Sequence, residues 1–182
     1  MPVDIPKFPI SDLSFKTEAK WKSWNFAKLT ENDNTPYGVS TLKESLDPRL
    51  IEWFTEFPYT TIRNIKFNIQ ENAVKPHIDF TDPNKDLNLF TNNIKSEPCG
   101  YRILLCGSRS GSLYVMHKGK KIYVTMPEDT DVYVLGHTNT LHGVDDEPGR
   151  VTIFTHFEID IERHKQIIER SLSKYKDYAV IV

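Results

Sequence analysis

His77 and Asp79 are the residues whose types and spacing most directly allow chemistry, in the run Pro76-His77-Ile78-Asp79-Phe80. On an extended chain, residues i and i+2 share a face, with their bases about 6.5 to 7 Å apart. An imidazole and a carboxylate on one side suit two ligands of a single metal ion. A third ligand must come from elsewhere in the fold. His142 leads, because it stands at the start of a late strand candidate. Two histidines and one carboxylate leave open positions on a metal and favour non-haem Fe(II) oxygen chemistry. A His-x-Asp run alone occurs by chance in many proteins, so the reading needs support from other residues. Arg150 supplies it, at the head of the next strand candidate. A buried arginine in a β-structured pocket needs an anionic partner, and its planar fork matches a carboxylate. A metal site with an inward arginine nearby is the arrangement expected for a carboxylate-bearing cosubstrate.

Other polar residues compete for these roles. His137 and His117 are rival ligands. His137 falls in the turn-like run Gly136-His137-Thr138-Asn139, which favours a solvated loop, and His117 precedes a turn and reads as surface. His156 shares strand parity with Arg150, Thr152 and Phe154, and is read as a hydrogen-bonded core histidine. His164 lies on a C-terminal helix and is expected at the surface. By parity Asn68 faces away from Ile65, Phe67 and Ile69. That side is either solvent or, in a barrel, the lumen, where Asn68 would touch cosubstrate or substrate. Cys99 reads as a loop residue and Cys106 as a core or pocket residue. No hydrolase elbow is present, because Gly107-Ser108-Arg109-Ser110-Gly111 has arginine where the nucleophile would stand.

The elements that must position these residues are mostly strands. From Thr60 onward short apolar runs alternate with polar residues, at 65–69, 101–106, 112–116, 121–126, 131–135, 141–144 and 150–158. Glycine, proline, asparagine and aspartate separate them. Residues 107–111 and 118–120 are expected to be turns between paired strands. Seven or eight short strands without alternating helices predict a β-sandwich, jelly roll or small barrel, not a parallel Rossmann-type sheet. The first 59 residues read as helix and loop support. A short helical candidate spans 42–46. A second helix starts at Asp47-Pro48, carries Trp53, Phe54 and Phe57, and stops at Pro58. The tail after Asp160 is helical, with Ile161, Ile167, Ile168 and Leu172 on one stripe. The polar stretch 80–98 is long enough for a substrate lid. No linker or repeat divides the chain, so one domain is expected over 1–182: support over 1–59, core over 60–160 and helix over 161–182.

Composition bounds the functions. The 182 residues carry 23 basic and 25 acidic side chains, a net charge of −2. That balance argues against bulk nucleic-acid binding. No apolar run approaches the roughly 20 residues that span a bilayer, and the N-terminal residues do not resemble a signal peptide. Two cysteines make no disulfide framework, which fits a cytoplasmic protein. Five of the six histidines crowd between Pro76 and Phe157.

Together these runs resemble the Fe(II)- and 2-oxoglutarate-dependent oxygenases, most closely the aspartyl/asparaginyl β-hydroxylase branch. Pro76-His77-Ile78-Asp79 looks like the first metal-binding motif. Asp131-Val132-Tyr133-Val134-Leu135, followed by Leu141-His142, looks like the strand and turn that deliver the distal histidine. Arg150-Val151-Thr152-Ile153-Phe154 looks like the strand carrying the 2-oxoglutarate arginine. Tyr101-Arg102-Ile103-Leu104-Leu105 resembles the strand bearing a second basic residue near the cosubstrate. The resemblance covers residues 60–160. It implies a double-stranded β-helix, a mainly β jelly roll with flanking helices, and Fe(II) held by His77, Asp79 and His142. It also implies 2-oxoglutarate bound at Arg150 and Arg102. The implied reaction is hydroxylation of a C–H bond of an amino acid or peptidyl residue, with release of succinate and CO2. Two readings compete with it: a cupin-type metalloenzyme that does not use 2-oxoglutarate, and a non-catalytic jelly-roll binding module.

Overall fold

The strand-forming texture that begins near residue 59 resolves into two antiparallel sheets. The structure is a computed structural model and describes residues 1–9, 25–26, 48–70, 72–78, 99–136 and 140–181. Nine strands lie among these residues. The first sheet holds β1 (Asn25–Phe26), β2 (Tyr59–Ile69), β4 (Cys99–Cys106), β7 (Val132–Gly136) and β9 (Val151–Ile159), in the order β1-β2-β9-β4-β7. The second holds β3 (Val74–His77), β5 (Leu113–His117), β6 (Lys120–Tyr123) and β8 (His142–Val144), in the order β3-β8-β5-β6. From β2 onward the chain steps from one sheet to the other at nearly every connection. Among the described strands, only β1 with β2 and β5 with β6 are successive strands within one sheet. Two helices, α1 (Pro48–Phe54) and α2 (Ile161–Lys174), accompany the sheets.

Period-two side-chain alternation gives the first sheet two buried faces. Tyr101, Ile103, Leu105, Val132, Val134, Val151 and Ile153 point outward, into a cluster with Val3, Ile5, Trp53, Phe54, Phe57 and Ile167. Trp53 of α1 meets Phe8 and Phe57 edge to face there, with ring centroids 5.2 and 4.9 Å away. The alternate residues Leu104, Tyr133 and Leu135 point the other way, into a cluster with Leu113, Val115, Val124 and Met126. This second cluster is the contact between the sheets. A β-sandwich with its first sheet backed by helices therefore results.

Most expected strands are present, with some shifted bounds. The strand placed at 121–126 is only Lys120–Tyr123, and the one at 65–69 starts earlier, at Tyr59. Residues 107–111 do not turn between paired strands. They carry the chain from β4 in the first sheet to β5 in the second. Arg109, at their centre, donates to the carbonyls of Pro127 and Thr130 and, at 3.0 Å, to the buried carboxylate of Asp131. Cys99 is the first residue of β4, opposite Gly136, not a loop residue. The reading of the first 59 residues as helix and loop misses β1, which pairs with β2 at Asn25↔Lys66 and Phe26↔Ile65. The expected helix at 42–46 and the stretch 80–98 lie outside the described residues. No helix among the described residues is long and apolar enough to cross a membrane.

Candidate functional site

β3 and β8 pair antiparallel with His77 directly opposite His142, which brings together two histidines far apart in the chain. Their ring centroids are 4.6 Å apart and the planes are tilted by 49°. His142 also faces Val115 across β8 and β5. Val115 belongs to the apolar cluster between the sheets, so the histidine pair lies on the inner face of the second sheet. His142 is buried and His77 half-buried.

Each ring is held in the same way. Nδ1 of His77 lies 2.9 Å from the carbonyl of Lys75, and Nδ1 of His142 lies 2.9 Å from that of Thr140. A carbonyl oxygen only accepts, so Nδ1 carries a proton, and in a neutral ring the lone pair then belongs to Nε2. This is the tautomer that a metal ligand bound through Nε2 requires. No group of three His, Cys, Asp or Glu side chains suited to a metal ion is gathered among the described residues. Asp79, the expected carboxylate ligand, lies outside them, as does the rival His137.

The facing sheet brings in two buried arginines, Arg102 and Arg150. Arg102 is in the same alternation as Leu104, on the inner face, and Thr152 is opposite Leu104. Arg150 precedes β9 and sends its guanidinium inward, where Nη2 donates to the Tyr133 hydroxyl at 3.3 Å. Arg102, Arg150 and Thr152 are all buried. The Arg150 Nε and the Thr152 hydroxyl have no hydrogen-bond partner among the described residues. Glu147 comes no closer to that Nε than 3.6 Å, while its other oxygen accepts from the Ser108 amide. The Glu147 carboxylate pairs with Arg150 by charge without hydrogen-bonding its Nε, so this Nε and the Thr152 hydroxyl keep donor capacity that a further acceptor could use. Gly107 gives the arginine stem room. At its positive φ of 126°, an added Cβ would lie 2.8 Å from Arg150 Cγ. Asn68 pairs with Thr152 across β2 and β9, next to this group in backbone register.

Two of the remaining histidines, His164 and His117, differ from their reading as surface residues. His164 is half-buried, not at the surface: its Nδ1 lies 2.9 Å from the hydroxyl of the fully buried Tyr101, and burial pushes its pKa down. His117 ends β5 opposite Lys120 and is also partly buried. The backbone of His156 pairs with Asn64. Cys106 is a free, half-buried thiol at the end of β4, consistent with a core or pocket residue. Sequence reasoning gave Tyr133 and Glu147 no role in the site and noted Thr152 only for its parity. The Arg150-to-Thr152 parity was the available signal for Thr152. Tyr133 lies in the unbroken apolar run 132–135, where both faces are buried and alternation says nothing about which is inner.

No protein-family model and no curated protein matches the chain.

Proposed function

We propose that this protein is an Fe(II)- and 2-oxoglutarate-dependent dioxygenase that hydroxylates a C–H bond of an amino acid or peptidyl residue. One observation carries the reading. A register-paired histidine couple, each ring held by the carbonyl two residues before it, faces the same intersheet space as a buried arginine and a buried threonine, whose Nε and hydroxyl lack hydrogen-bond partners among the described residues. The strand orders β2-β9-β4-β7 and β3-β8-β5-β6 support a double-stranded β-helix.

The residues fit the groups that this reading needs. His77 and His142 would hold the metal together with Asp79, the next residue of the same parity. When bound, Fe(II) and 2-oxoglutarate supply oxygen activation: one O2 is consumed, 2-oxoglutarate leaves as succinate and CO2, and the substrate gains a hydroxyl. The chain's own side chains bind and orient. Arg150 would pair with the distal carboxylate of 2-oxoglutarate, and Thr152 would donate a further hydrogen bond to it. Tyr133 fixes the arginine fork from behind. Arg102 places a second positive charge on the same face. Leu104, Leu135 and Val115 keep the intersheet space apolar and restrict water.

The test is thermal melting without oxygen. Fe(II) should raise Tm, and 2-oxoglutarate should raise it further, because each binds only the folded state. His77→Ala should lose the Fe(II) shift. Arg150→Ala should keep it and lose the 2-oxoglutarate shift. A wild-type Tm indifferent to Fe(II) would sink the metal reading. A full 2-oxoglutarate shift in Arg150→Ala would favour a metalloenzyme of another kind. Succinate release with a panel of amino acids and peptides then identifies the substrate class.

A further inference from the structure

We propose that Gly143, with Tyr114 laid across it, is a positioning residue that sets the separation of His77 and His142, an inference that rests on the metal reading above. Gly107, Gly111, Gly119 and Gly149 all adopt positive φ, and Gly143 does not. Its backbone would accept other residues, so what position 143 demands is space. An added Cβ there would lie 2.5 Å from the Tyr114 hydroxyl and 2.6 Å from the carbonyl oxygen of Val74. Both distances are well inside van der Waals contact.

The two obstacles belong to the strands on either side of β8. Tyr114 stands opposite Gly143 on β5. Val74 opens β3, the strand that ends at His77. Neither can yield freely. The Tyr114 ring is almost fully buried, with the Lys121 ammonium 4.2 Å from its centroid and the Tyr123 ring edge-on at 6.1 Å. Lys121 and Tyr123 both donate to Asp145, two residues beyond Gly143 on the same chain segment. The ring is therefore boxed in by groups tied back to β8 itself. The Val74 carbonyl is backbone. A methyl group at 143 would push β3 off β8 and carry His77 away from His142. The lock is on the opposite side of the strand from the histidine, so it acts through backbone spacing and touches no ligand.

Co(II) is the probe, because its visible absorption reports ligand number and geometry without turnover. Wild type is titrated first, and failure to bind Co(II) there would defeat the metal reading before any variant is made. Gly143→Ala should weaken Co(II) binding by about 10- to 100-fold, the range seen when groups that orient ligands are disturbed, and should alter the absorption band. In Gly143→Ala/Tyr114→Leu the methyl takes room that the ring gives up, so Co(II) affinity should recover at least about 5-fold over the single variant, a non-additive outcome. A merely structural glycine would lower Tm in both variants without this recovery. The proposal is overturned if Gly143→Ala binds Co(II) with wild-type affinity and spectrum, or if the double variant binds no tighter than the single. Should Gly143→Ala not fold, a folded double variant that binds Co(II) supports the lock, and one that also fails to fold overturns it.

Discussion

Thr152, two residues from Arg150 on the same strand parity, keeps a buried hydroxyl with no hydrogen-bond partner among the described residues, and a folded chain tolerates that only at a cost in stability. Thr152→Val removes the hydroxyl and keeps the shape. Without ligand the variant should be as stable as wild type or gain up to about 1 kcal/mol, since an unsatisfied buried group is lost. The 2-oxoglutarate contribution to Tm should shrink at the same time. Urea unfolding with and without 2-oxoglutarate measures both, and a large loss of stability in the free protein would show that the hydroxyl already serves the fold. At this scale His77, His142 and Arg150 could be read from the chain, because their chemistry is unusual at strand starts and ends. Gly143 and Tyr114 could not. Their pairing is a property of register between strands, and nothing local in the run Leu141-His142-Gly143 states which side chain lies across the glycine.

Helix α2 is fixed at both ends by polar groups. Asp160 caps it, accepting from the Arg163 amide at 3.0 Å. Asp160→Ala should cost about 1 kcal/mol in urea unfolding. Nearer its C-terminal end, Arg170 and Lys174 clasp Asp4 at 2.6 and 2.8 Å, and Lys174 also reaches Asp129 at 2.9 Å. Burial raises the Asp4 pKa, but hydrogen bonds from Lys174 and Arg170 outweigh it and hold the carboxyl below its ordinary value. The hydrogen bond from Lys174 does the same for Asp129. Both are depressed carboxylates, so their contribution is complete above the unfolded value of 3.8 and is lost as pH falls through the lower folded values. Tm should therefore drop more steeply below about pH 4 in wild type than in Lys174→Ala, and salt should weaken the difference because the groups are largely exposed. An identical acid slope in the two proteins would remove the clasp from the stability account. The helix itself was legible from its apolar stripe and its cap, although Leu172 on that stripe is exposed. The partner segment was not. Val3 and Ile5 are fully or almost fully buried, yet they sit in a short, proline-interrupted run with no periodicity, and Val3 is held by Val132 from far along the chain.

At the scale of the molecule, the two-sheet architecture followed from strand spacing and turn residues, while the assignment of strands to sheets did not, as the crossover at 107–111 shows. The near-balanced charge is consistent with the way the described arginines are used: Arg150 points inward at a small site, and Arg109, Arg163 and Arg170 tie segments together. The place of β9 has a kinetic consequence. It lies between β2 and β4, so the last strand of the first sheet is the one that joins the β1-β2 pair to β4 and β7. Such pairings bridge long stretches of chain, and topologies dominated by them fold over milliseconds to seconds, roughly, not microseconds. On a ribosome, the pairs β1-β2 and β4-β7 must wait for residues 151–159 to emerge before they are joined in one sheet, and Arg150 arrives with that same segment. The intersheet space therefore cannot close before residues 150–159 are available, and whatever fills it enters a sandwich that already holds its last strand.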